Sequence, residues 1–102
     1  SATLRGPSMA TYLICYDINK EGEAYRQANK LLTDRIKELF QTWWHHLDST
    51  WIVVTNLSAA EIRNALRSYI DTDDELLVIK SARDAAWHGF SDQGSSWLKD
   101  YL

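Results

Sequence analysis

The spacing of apolar residues changes several times along the chain, and each change marks an element. Residues 10–18, ATYLICYDI, form a short run of strand formers. Asn19-Lys20-Glu21-Gly22 interrupts it with turn chemistry. From Glu23 onward, Ala24, Ala28, Leu31, Leu32, Ile36, Leu39 and Phe40 recur at three- and four-residue spacings, predicting an amphipathic helix over 23–40. Residues 43–47 and 50–55 read as two strands with Asp48-Ser49 at the turn between them. Ser58 followed by Glu61 predicts a capping box, and Ile62, Ala65, Leu66 and Ile70 continue it as a helix over 59–70. After the polar turn Asp71–Asp74 comes ELLVIK, residues 75–80. That strand is so uniformly apolar that a central place in a sheet is expected for it.

Strand, helix, strand, strand, helix, strand is the order of a ferredoxin-like βαββαβ domain of the α/β (α+β) class. Its four strands form an antiparallel sheet with both helices on one face. In the first strand Tyr12, Ile14, Tyr16 and Ile18 share one side, while Leu13, Cys15 and Asp17 share the other. Two helices cover only one face, yet both faces are largely apolar. The second must be closed by the C-terminal segment or by another subunit, and a homodimer is the economical expectation. Residues 81–102 form a short aromatic C-terminal extension, in which Ser91 caps a helix over 92–101. The domain is expected to span 9–102, with its core in 9–80. The opening SATLRGPS shares no pattern with the rest of the chain and reads as an expression leader ahead of Met9.

Composition narrows the classes. A chain of 102 residues with 45% hydrophobic and 25% charged positions suits one modest core. No apolar run approaches the roughly 20 residues of a membrane span. A net charge of −3 argues against a dedicated high-affinity nucleic-acid binder, although local basic stripes remain open. The single Cys15 excludes an internal disulfide framework and any cysteine-rich zinc site, and fits a reducing cytoplasm.

Asp17 is the residue that most needs a reason, because a carboxylate ending an apolar strand is costly unless something compensates it. It either caps the 19–22 turn by accepting backbone N–H bonds or serves as a hard-metal ligand for Mg²⁺ or Mn²⁺. A lone aspartate does not hold such an ion, so a dimer axis near the strand end would have to bring two copies together, with Asn19 adding an amide oxygen. His45 and His46 are adjacent on a strand and point to opposite faces, which argues against a shared ion. Trp43, Trp44 and Trp51 suit cross-strand packing better than a base-stacking platform. Lys20, Arg26, Lys30 and Lys37 make either a phosphate-tracking stripe or an ordinary solvated helix face. Asp71–Asp74 lacks the glycine and distant glutamate of a calcium loop and reads as a solvated turn.

YLICYDI at the end of the first strand, a long helix, and then HLDSTWIVVTNLSAAEI together resemble the small CRISPR-associated nuclease subunit of the spacer-acquisition complex. More closely, they resemble small bacterial SinR-like proteins, with the likeness running over residues 9–80 and into the tryptophan-containing tail. The virulence-associated D ribonucleases share the same strand-and-dimer plan. The resemblance implies a homodimeric, metal-dependent endonuclease acting on RNA or DNA, or a degenerate nucleic-acid-binding relative of one. It implies Asp17 as the metal ligand at the dimer axis, with Tyr16 and Ser49 as further catalytic candidates. The chain departs from that pattern in two places. Asn19-Lys20-Glu21-Gly22-Glu23 lacks the arginines expected after the aspartate, and Trp43–Asp48 replaces a basic approach to the hairpin serine. These departures favour the alternative of a non-catalytic interaction module that binds a protein through Trp87, Phe90, Trp97 and Tyr101.

Overall fold

A computed structural model describes residues 8–102, so the expected leader lies, but for Ser8, outside the described residues. The elements follow the chain as β1 (Ala10–Asp17), α1 (Gly22–Leu39), β2 (Thr42–Leu47), β3 (Thr50–Thr55), α2 (Ala59–Arg67), β4 (Glu75–Lys80) and α3 (Asp92–Tyr101). The strands form one sheet in the order β2-β3-β1-β4, and every neighbouring pair is antiparallel. This is the ferredoxin-like arrangement, with α3 as an addition.

Alternation along β1 assigns the two faces. Tyr12, Ile14 and Tyr16 join Trp51 and Val53 of β3 in the main core, against Leu32 and Ile36 of α1 and Ile62 and Leu66 of α2. On the opposite face, Trp44 and Ile52 pack against Leu98 of α3, with Leu13, Trp87, Phe90, Trp97 and Leu102 around them. The extension thus closes the β2–β3 half of the second face. Thr11 Oγ1 donates to the carbonyl of Tyr101 at 2.6 Å and pins the end of α3 to β1. The β1–β4 half is left open, and Leu77 and Ile79 are 56% and 46% exposed there.

α2 starts as the sequence dictates. Ser58 Oγ accepts from the Glu61 N–H at 3.1 Å, and the Glu61 carboxylate accepts from the Ser58 N–H at 2.9 Å. It ends at Arg67 rather than at 70, because the Tyr69 and Ile70 N–H groups turn back to the carbonyls of Leu66 and Arg67 in a tightened last turn. The larger correction concerns β4. Its apolar run predicted a central strand, and it lies at the sheet edge, with β1 on one side and no strand on the other among the described residues. Leu76 and Val78 pack against the core while Leu77 and Ile79 face outward. An apolar run therefore reported two apolar faces and carried no information about the edges.

Candidate functional site

The C-terminal end of β1 meets two other segments. On one side is the β2–β3 turn, where the Tyr16 N–H donates to the Ser49 carbonyl at 3.1 Å. On the other is the start of β4, where Glu75 stands directly opposite Asp17 in the ladder. Tyr16, Asp17 and Ser49 are thus neighbours at the strand end, and Glu75 joins them.

Their side chains diverge. Tyr16 points into the helix-covered core and is 6% exposed. Its hydroxyl accepts from Trp51 Nε1 at 3.0 Å and donates to the Asp48 carbonyl at 3.3 Å. Burial pushes the phenol pKa up, the Trp51 hydrogen bond opposing this and the nearby Tyr25 and Asp48 adding to it. This is a structural hydroxyl that ties the hairpin to the core, not a group presented to a substrate. Asp17 points the other way, exposed on the open face. Among the described residues its carboxylate accepts no hydrogen bond, so the turn-cap expectation does not hold. Asp74 caps that turn instead, accepting the Asn19 N–H at 2.8 Å and the Asp71 N–H at 2.9 Å.

Asn19 is drawn to the same place. Its side-chain amide donates to Asp73 at 3.3 Å, so it belongs to the acidic turn rather than to a ligand set around Asp17. The Lys20 ammonium pairs with Asp71 and lies 3.7 Å from Asp74. The hydrogen bond to Asp71 is the main reason that the Lys20 pKa is raised. The Asp74 pKa is lowered, chiefly by the backbone hydrogen bond from Asp71 and then by that from Asn19 and by Lys20. Asp71, Asp73 and Asp74 are the one carboxylate trio among the described residues close enough to share a cation. The Lys20 ammonium offsets one of its three charges and the Asn19 amide donates to another carboxylate, which makes it a built joint between the loop after β1 and the loop before β4. The solvated turn expected there is therefore partly shielded, with the Asp74 side chain only 2% exposed.

The basic stripe is similarly committed. Arg26 pairs with Glu23 at 2.6 Å and Lys30 with Asp34 at 2.7 Å, both on the exposed side of α1. Lys37 lies over the Trp43 ring at 5.6 Å. The tryptophans pack as cross-strand reasoning expects. Trp43 and Trp51 meet at 5.0 Å, and His45 stacks on Trp51 at 3.9 Å. On the other face, Trp44 meets His46 at 5.0 Å and Phe90 edge-on at 4.8 Å, and its Nε1 donates to the Gly94 carbonyl. The two histidines therefore do lie on opposite faces. Trp44 and Trp51 are buried, so no three-ring stacking platform exists.

Glu75 is the residue that sequence reasoning missed. Its signal was available, since antiparallel order in a ferredoxin-like sheet puts the start of β4 beside the end of β1. Two carboxylates directly opposite one another on a ladder are destabilising unless a cation lies near. Comparison with protein-family models, with curated proteins and with solved structures finds no match.

Proposed function

We propose that this chain is a ferredoxin-fold protein of the CRISPR-nuclease-like kind, a metal-dependent endonuclease acting on the phosphodiesters of RNA or DNA. The observation that carries the reading is the facing pair Asp17 and Glu75, exposed at the strand end on the open face. The pair supplies within one chain the second carboxylate that a lone aspartate lacks. Hard oxygen donors of this kind suit Mg²⁺ or Mn²⁺, which keep waters in the rest of their shell. When bound, such an ion polarises a phosphoryl oxygen and acidifies its water. Asp17 and Glu75 would hold it, and the Tyr16–Ser49 and Tyr16–Asp48 bonds fix the strand end that carries Asp17. Tyr16 acts there as a positioning residue, and Asn19 drops out of the ligand set. A single half-buried thiol, Cys15, suits a cytoplasmic setting.

The test is cleavage of single- and double-stranded RNA and DNA with Mg²⁺, Mn²⁺ or EDTA, for wild type, Asp17→Ala and Glu75→Gln. The expected result is metal-dependent cleavage that Asp17→Ala abolishes and Glu75→Gln reduces about tenfold or more, the scale of one lost ligand. Wild type that is inert on all four substrates, or as active as Asp17→Ala, overturns the reading.

A second reading, the non-catalytic interaction module, is favoured by the pairing of Lys20, Arg26 and Lys30 with carboxylates, which commits most of the stripe expected to track phosphates. A module that binds only protein is not retained on heparin at low salt, whereas a nucleic-acid binder is, with salt-dependent elution.

A further inference from the structure

The edge position of β4 has a physical consequence. The Ser81 N–H donates to the Thr11 carbonyl at 2.8 Å, continuing the β1–β4 register by one residue. Antiparallel ladders alternate, so Glu75, Leu77 and Ile79 turn their backbone groups toward β1. Leu76, Val78 and Lys80 therefore direct N–H and C=O outward from the sheet. No bulge interrupts the β1–β4 register, and no proline stands in ELLVIK. Proteins that keep an edge strand unpaired protect it with prolines, bulges or charges set within the strand. Here the charges sit only at the two ends, Glu75 and Lys80, and the four residues between them are apolar.

We infer that the β4 edge is the docking surface for a second copy of this chain, which adds its own β4 antiparallel to form a continuous eight-stranded sheet. Its composition argues for self-pairing over any other occupant. An antiparallel copy carries the acidic start of one strand, Asp73 to Glu75, past the basic end of the other, Lys80 and Arg83. A two-fold axis through Val78 places Leu77 opposite Ile79 of the second copy, and Ile79 opposite Leu77. The two most exposed apolar side chains of the strand then cover each other on the open face. Val78 pairs with its own equivalent, and Leu76 pairs with Lys80. Such an interface is isologous and closes at two chains. It also restores the central position that the composition of β4 predicts. Asp17 stays one strand inward of the seam, and the inference is independent of nuclease activity.

The experiment is sedimentation or light scattering of the full chain across a concentration series, for wild type, Val78→Pro, and Leu77→Lys with Ile79→Lys. Val78→Pro removes an outward N–H and leaves the β1 ladder intact, the one placement in which a strand tolerates proline. The expected result is a wild-type mass of twice 11.8 kDa, with both variants folded by circular dichroism and dissociating at concentrations about tenfold higher or more. A wild type that is monomeric throughout overturns the proposal. So does a dimer that Val78→Pro leaves intact while Leu13→Lys breaks it, which assigns the contact to the open face instead. Should a β4 variant fail to fold, wild-type hydrogen exchange decides. Amides of Leu76, Val78 and Lys80 whose protection rises with concentration support the seam, and protection unchanged by concentration rules it out.

Discussion

At the residue scale, Tyr16 shows how a side chain singled out for chemistry serves the fold instead. Its hydroxyl is the partner of the Trp51 indole N–H, and Trp51 is wholly buried. Tyr16→Phe leaves that donor unpaired and is expected to cost about 1–3 kcal/mol in denaturant unfolding. The raised phenol pKa fixes a sign as well. The folded state holds the proton more tightly than the unfolded chain, so the contribution is full below the unfolded phenol value of about 10 and fades as pH rises through the folded one. Unfolding followed from pH 8 to 11 should show an alkaline loss of stability that Tyr16→Phe diminishes. A loss of equal size in the variant would assign it to other groups. Asp17 and Tyr16 are neighbours in sequence, and the pleat alone sends one to solvent and the other to the core.

At the element scale, α3 closes half of a face that the βαββαβ core leaves bare. Leu98 is its anchor, buried against Trp44 and Ile52. Leu98→Ala is expected to destabilise the domain by about 2–5 kcal/mol, the usual cost of truncating a buried leucine. Near-ultraviolet circular dichroism should report loosening around Trp44 and Trp87. A variant with wild-type stability would mean that α3 docks without contributing to the core. Most of the aromatics expected to greet a partner are engaged by the chain's own sheet. Trp87 and Phe90 surround Trp44 and Ile52, and Trp97 lies against Tyr101 at 4.7 Å. The hairpin carries its own irregularity, a register shift between Trp44 and Leu47. That shift puts Leu47 opposite Thr50 on the α3-covered face, where simple alternation from Trp43 would not place it.

At the scale of the whole molecule, two loops far apart in sequence are stitched by one polar joint. Asn19 and Lys20 follow β1, Asp71 to Asp74 precede β4, and Asp74 accepts backbone hydrogen bonds from both segments. Its lowered pKa means that the folded state favours the carboxylate. The stabilisation is present above the unfolded aspartate value of about 4 and is lost as pH falls through the folded value. Asp74→Asn should therefore lower stability at pH 7 and flatten the acid limb between about pH 4 and 2, measured by urea unfolding at stepped pH. An acid limb as steep as that of wild type would place the pH dependence elsewhere. No helix among the described residues is long and apolar enough to cross a membrane.

Local periodicity and turn chemistry by themselves determined the elements of this protein. The ranges of β3, β4 and α3, the Ser58–Glu61 box, the two faces of β1 and the ferredoxin-like order all follow from interactions a few residues long. The sequence also determined that Asp17 requires an explanation, because the cost of a carboxylate beside apolar neighbours is a local fact. Only the tertiary structure decided what each polar residue meets. Asp17 faces Glu75 from the far end of the chain's fold, Asn19 reaches Asp73 and Asp74, and β4 lies at an edge. Partners so distant in sequence are chosen by strand order and register, and side-chain spacing within a strand encodes which face is buried but not which neighbour lies beside it.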